Sequence, residues 1–206
     1  MRTLATALLV FALAGQSYPP PFPRPGVTTL LENARVVVWN IAWPKGQPTA
    51  LHRHVHDLVG TYYTSGDRVI TEVDGSKRNV TNKAGEITFR ERGLTHIEEG
   101  TSDKPLRAVF IELKEDGPSG AAAPPSDAAP SFGAIVRKPL LDNRRVTVWS
   151  YQSTFGLEGT RHVHEHDAVT VWTQDGVAHA VFVPAGTVHT EEQAGVISSG
   201  TVFEIK

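Results

Sequence analysis

The sequence predicts an all-β protein built as two tandem copies of one fold. Three observations carry that reading. The chain repeats itself at a constant offset. Each repeat consists of short β-branched or aromatic runs separated by Gly, Asp, Asn or Pro turns. Apart from the N-terminal segment, no stretch sustains a 3.6-residue apolar period over ten residues.

The repeat is read directly from the residues. "LENARVVVWN" from Leu31 pairs with "LDNRRVTVWS" from Leu141, and "HRHVHDLV" from His52 pairs with "HVHEHDAV" from His162, both at an offset of 110 residues. "FRERGLTHIEE" from Phe89 then pairs with "FVPAGTVHTEE" from Phe182, and "FIELK" from Phe110 with "VFEIK" from Val202. Similarity that keeps this order and spacing marks a duplication, and hence two copies of one fold. The copies are unequal. The first contains "GDRVITEVDGSKRNVTNKAGE", a hairpin turning at "VDGS", whereas the second passes from Gly176 to Phe182 with about seventeen fewer residues. Trp39 and Trp149 end the first strand of each copy and are read as core packing.

Boundaries follow from composition. Residues 1–14, "MRTLATALLVFALA", carry one early cation and an apolar run too short to span a bilayer, ending in a small-x-small cleavage pattern, and are read as a secretory signal peptide. Residues 15–26 form a Pro-rich arm in which five prolines within "YPPPFPRPG" forbid a helix. Residues 27–115 are the first domain, 116–131 an Ala/Pro-rich linker, and 132–206 the second, shortened domain. The expected location is secreted or periplasmic, with no stable membrane insertion once the signal is removed.

Of the 206 residues, 40% are hydrophobic and 20% charged, with a formal net charge of −2 and no basic block, which argues against nucleic acid as a partner. Cysteine is absent, so a metal would be held by imidazole nitrogen and carboxylate oxygen, a donor set suited to Zn, Fe, Ni, Cu or Mn. His52, His54 and His56 alternate, as do His162, His164 and His166. A strand turns alternate side chains to one face, so each pair of leading histidines can point into a barrel. His96 and His189 follow later glycine turns in the two copies and can meet them from a facing strand.

These motifs resemble those of the cupin family over nearly the whole mature chain, in a two-domain (bicupin) arrangement. "PAGTVH" gives Pro184, Gly186 and His189 at the spacing of the second cupin motif, and "ERGLTH" keeps Gly93 and His96 with Glu91 in place of proline. For the first motif, His52-x-His54 and His162-x-His164 match, closed by Gly66 and Gly176. The resemblance implies two tandem barrels of the double-stranded β-helix (jelly-roll) kind, packed sheet to sheet, and a divalent metal (Fe, Mn, Ni or Zn) on His52, His54 and His96 and on His162, His164 and His189. The sequence departs from the family at the glutamate that usually follows the histidine pair. Those positions are Leu58 or Val59, and Ala168 or Val169. Asp57 and Asp167 stand one step early. With His56 and His166 they are candidates to hydrogen-bond a ligating histidine. Glu98-Glu99 and Glu191-Glu192 are read as solvated strand ends, with a lumen-facing general base as the alternative, and His179 as a surface or core residue.

The expected function is that of an exported metal-binding bicupin acting on a small molecule, as an oxygenase, isomerase or lyase if it is an enzyme. The alternative is a non-catalytic small-molecule or metal-binding protein that has lost the metal glutamate. The expected partners are a small-molecule ligand and, as a homodimer, a second copy of the chain. The fold alone does not select a reaction.

Overall fold

A computed structural model describes residues 17–114, 129–130, 138–152, 161–190, 195 and 199–206. The signal segment, most of the linker and Glu191-Glu192 lie outside these. Sixteen strands make up the described regular structure, with no helix among them. No described helix is long and apolar enough to cross a membrane.

In the first unit, β1 (Val27–Glu32), β2 (Val36–Trp43), β4 (Asp57–Tyr62), β7 (Ile87–Arg90) and β9 (Leu106–Leu113) form a five-stranded sheet in the order β1-β2-β9-β4-β7. Facing it is a four-stranded sheet ordered β3-β8-β5-β6, built from β3 (His52–Arg53), β5 (Gly66–Glu72), β6 (Lys77–Asn82) and β8 (Thr95–Gly100). The β5–β6 hairpin turns where "VDGS" predicts, with Gly75 at φ +83°.

The second unit repeats the larger sheet. Its strands are β11 (Leu141–Asp142), β12 (Val146–Gln152), β14 (Asp167–Gln174), β15 (Val177–Val183) and β16 (Ser199–Ile205), in the order β11-β12-β16-β14-β15. Here β14 turns straight into β15 through Asp175 and Gly176, both at positive φ, where the first unit inserts its hairpin. The expected shortening of the second copy therefore falls on the second sheet. Among the described residues that sheet is reduced to β13 (His162–Val163), which pairs in parallel with β10 (Ala129–Pro130) and bridges to His189. Residues 129–130, inside the segment read as a linker, thus carry backbone pairing.

Two-residue alternation sends the two faces of each large sheet to different cores. Val36, Val38, Val59, Val109, Ile111 and Leu113 point out of the first barrel and pack on Val146, Val148, Val169, Val171, Phe203 and Ile205 of the second. Ile41, Trp43, Leu58, Tyr62, Ala108 and Phe110 point into the first barrel, and Trp149, Tyr151, Ala168 and Val202 into the second. Strands buried on both faces read as near-continuous apolar runs, which is why "RVVVW" and "RAVFIEL" show so little polar alternation. Each fully buried Val, Ile, Leu or Phe contributes about 1.5–3 kcal/mol, so this sheet-to-sheet core dominates the joining of the two barrels.

The same parity settles the place of the two aspartates. Asp57 precedes Leu58 by one residue, so it faces the other barrel rather than the lumen. Its Oδ2 lies 3.1 Å from Nε of Arg145, and its Oδ1 accepts the backbone N–H of Arg92 at 2.9 Å. Asp167 mirrors it, accepting from Arg35 Nε at 3.0 Å and from the N–H of Ala185 at 3.0 Å. Arg35 and Arg145 are themselves equivalent in the repeat, so duplication has produced a reciprocal pair of inter-barrel salt bridges. The expectation that Asp57 and Asp167 hydrogen-bond a ligating histidine is thereby corrected: their partners are arginines and backbone N–H groups.

The Pro-rich arm, from residue 17 onward, is extended as expected but also docked. The Pro19 carbonyl accepts from Arg53 N–H at 2.9 Å, Gly26 O accepts from Ala42 N–H at 2.7 Å, and Phe22 is buried in the first barrel's core, 5.0 Å from Trp39 between ring centroids.

Removing one partner of a largely buried ion pair leaves the other uncompensated, at a cost of about 3–5 kcal/mol. Asp57→Ala is therefore expected to lower the denaturant midpoint by about that amount of stability, and the charge swap Asp57→Arg with Arg145→Asp to recover part of it. A neutral Asp57→Ala would contradict the assignment.

Candidate metal centres

The first histidine cluster is assembled by strand pairing. His52 on β3 and His96 on β8 are direct cross-strand partners. His54, just beyond β3, is held by backbone bonds on both sides. Its N–H donates to Leu94 O at 2.9 Å, and its carbonyl accepts from Gly93 N–H at 2.8 Å. Gly93 has φ +93°, a left-handed conformation that favours glycine. Gly186, at φ +75°, donates to His164 O at 2.9 Å in the second unit. This bond is the physical reason the glycine of one motif and the histidine of the other occur together.

All three side chains are buried, and their ring centroids lie 4.9–5.2 Å apart. The His52 Nδ1–H donates to Ala50 O at 2.9 Å, which leaves Nε2 as its lone-pair nitrogen, buried and without a hydrogen-bond partner. His54 Nε2 and His96 Nε2 approach to 3.4 Å. Burial lowers the pKa of all three; Glu98 opposes it, yet His54 and His96 are held at about 4. At neutral pH the cluster is therefore three neutral imidazoles with nitrogens converging within 4.8 Å, the donor set a divalent transition metal takes.

The second cluster is its counterpart. His162 and His189 exchange backbone hydrogen bonds of 2.9 and 3.0 Å, and with the fully buried His164 they bring ring nitrogens within 4.8 Å of one another. His189 Nδ1 donates to Thr187 O at 3.1 Å. His164 Nδ1 lies 2.9 Å from Glu204 Oε1, while Glu204 Oε2 accepts from Trp149 Nε1 at 2.7 Å. A carboxylate on Nδ1 fixes the tautomer that offers Nε2 to a metal.

Carboxylates therefore serve both clusters: Glu98, which turns inward as the alternative reading of Glu98-Glu99 has it, and Glu204, which no sequence motif singles out. In the first barrel Glu98 lies two residues after His96 on β8, and so on the same face. It is buried rather than solvated, with Oε1 3.7 Å from His96 Nε2. Burial works to raise its pKa, but Arg68, His96, Trp43 and Arg24 together hold it at about 2. The strand period from His96 was the available signal, obscured by Glu99 beside it. In the second barrel Glu204 comes from the last strand, where it pairs with Ala168. Its counterpart Glu112 pairs with the bulkier Leu58, accepts from Trp39 Nε1 at 2.9 Å, and is raised in pKa by burial with His56 opposing. Leu58 and Ala168, at one of the two spacings the family uses for its glutamate, are buried wall residues.

His56 and His166 are half-buried and join neither triad. His179 stacks on Trp172 at 5.3 Å. The first triad borders a cavity of about 30 Å³ lined by Phe22, Leu58, Tyr62, Arg68 and Glu98 among others. A larger cleft of about 300 Å³ between the barrels, bordered by Tyr63, Tyr151 and Trp172, is lined by no triad histidine.

No family model matches the chain. Over 92 residues it is 32% identical to the β-alanine degradation protein BauB of Pseudomonas aeruginosa, covering 45% of this chain and 96% of that protein. Among solved structures, it is similar to a cupin domain from Bordetella pertussis (28% identity, 49% of this chain and 100% of that one, TM-score 0.41). It is also similar to a double-stranded β-helix protein from Klebsiella pneumoniae (24% identity, 45% and 81%, TM-score 0.36). With paired histidine motifs in two all-β barrels, and with a relative of that identity covered nearly end to end, the chain belongs to the cupin superfamily.

Proposed function

We propose that this chain is an exported bicupin that binds a divalent metal, Fe, Mn, Ni or Zn, through His52, His54 and His96 and through His162, His164 and His189, and that it works on a small molecule. The observation that carries the reading is the convergence of three buried imidazoles in each barrel, with His52 Nε2 turned inward and unpartnered. Such a metal, when bound, supplies Lewis acidity or oxygen activation. The protein's own part is to keep the imidazoles neutral by burial, to orient His164 through Glu204, and to place the Glu98 carboxylate beside His96. The apolar Leu58 and Ala168 at the glutamate position favour a second reading, a non-catalytic metal-binding protein. Export rests on the leader-like residues 1–14.

Purified protein loaded at neutral pH is expected to carry about two metal ions per chain by elemental analysis, one fewer in His54→Ala and none in His54→Ala with His164→Ala. Protein that takes up none of Fe, Mn, Ni or Zn would sink the reading. Loss of a carboxylate that orients a metal-bound histidine weakens binding by about 10–100-fold. Glu204→Gln is therefore expected to weaken the second site by that factor in competition with a chelator and to leave the first unchanged. Equal effects on both sites would refute the role of Glu204. For export, N-terminal sequencing of the expressed protein is expected to begin just after Ala14, and an intact Met1 terminus would contradict the leader.

A further inference from the structure

We propose that the first barrel holds a binding site for a short-chain carboxylate anion, seated against Arg68 beside His54 and His96. The inference deepens the metal-binding reading by naming a ligand class for that site, but its own evidence lies in the arginines. Arg68 on β5 is buried. Its Nη1 donates to Glu98 Oε1 at 2.5 Å, its Nη2 donates to the Tyr62 hydroxyl at 2.5 Å, and its guanidinium carbon lies 5.0 Å from the Trp43 ring centre. Arg24 comes from the arm. Its guanidinium lies 3.8 Å from Glu98 Oε2 and 5.7 Å from the Trp43 ring centre, and its Nη1 makes a 3.4 Å bond to Pro25 O.

Glu98 is thus one carboxylate against two guanidinium groups. One of its oxygens accepts from Arg68 and the other from Trp43 Nε1, at 2.9 Å. Arg68 Nε, from a residue of the cavity wall, is buried with no hydrogen-bond acceptor among the described residues; Arg24 Nε and Nη2 are likewise without one, but Arg24 does not line the cavity. A buried donor without an acceptor is costly, so this pocket is complementary to an anion. The exposed Arg78 and Arg90 line the same cavity; with Arg68 they set three guanidinium groups against Glu98 and against Glu72, which Arg78 meets at 3.1 Å, so one positive charge is left to attract a monoanion. Carboxylates suit the planar guanidinium fork.

Size and polarity narrow the class. The cavity of about 30 Å³ has room for about two or three water-sized centres, the volume of a carboxylate with a very short tail. Phe22, Leu58, Ile70 and Phe110 give that tail an apolar wall. Among the described residues nothing equivalent is built in the second barrel, where β14 turns straight into β15 without the β5–β6 hairpin that carries Arg68.

Acetate is the probe. Calorimetric titration of the full protein at neutral pH, both chelator-treated and metal-loaded, is expected to show one saturable site per chain. The affinity should fall at least tenfold in Arg68→Gln and severalfold in Arg90→Gln, and stay unchanged in Arg144→Gln, an exposed cation outside the cavity. Arg90→Gln guards against loss of fold, since Arg90 is exposed, and melting curves verify both variants. Absence of saturable binding in either form would overturn the proposal. So would binding that vanishes with the metal yet ignores both arginine substitutions; the anion would then sit on the metal, and the metal-binding reading would stand. Arginine-dependent acetate binding by protein that takes up no metal would have the opposite effect, upholding this site and removing the metal.

Discussion

The two-residue period of a strand buried on both faces is the constraint on which the rest of this protein depends. In β4, residue 57 looks across to the other barrel and residue 58 into its own lumen, so adjacent residues serve separate cores. The same rule places Val36 and Val38 between the barrels and Ile41 and Trp43 inside one. A one-residue slip would bring Asp57 into the lumen, send Leu58 to the interface and break the reciprocal arginine pairs. The register of the metal-site wall and the docking of the barrels are therefore fixed together.

Duplication supplies symmetry, and each barrel then departs from it. Both keep the histidine triad, the positive-φ glycine bonded to the middle histidine's carbonyl, and a tryptophan whose Nε1–H meets a carboxylate from the last strand. The small Ala168 stands beside Glu204, which reaches His164; the larger Leu58 stands beside Glu112, which does not reach His54. The first barrel brings Glu98 to its triad instead, buttressed by Arg68 from a hairpin the second has shed. The two centres share donors but not surroundings, so they differ in charge and in access.

Much of this was legible in the sequence, for identifiable reasons. The constant offset between repeats exposed the two barrels, and alternate histidines on short β runs exposed the triads, because both signals are local and periodic. The all-β class followed from the turn residues and the missing helical period. Asp57 was legible only in part: its parity was wrong for a lumen ligand, but its partner Arg145 lies in the other repeat. Glu98 was legible only as an alternative, because Glu99 beside it made the pair look like a solvated strand end, although two residues on from His96 is an inward position. The docking of Phe22 and Arg24 was not legible, since proline predicts an extended arm without saying what it lies against.

The central claim is that each triad is a three-imidazole metal site with no contribution from the aspartate beside it. X-ray absorption at the edge of a bound metal, with its imidazole multiple-scattering pattern, tests that claim most directly. Three histidine ligands per metal, unchanged in Asp57→Asn with Asp167→Asn, is the predicted result. A bound metal with fewer than two imidazoles, or a coordination shell altered by those substitutions, would contradict it.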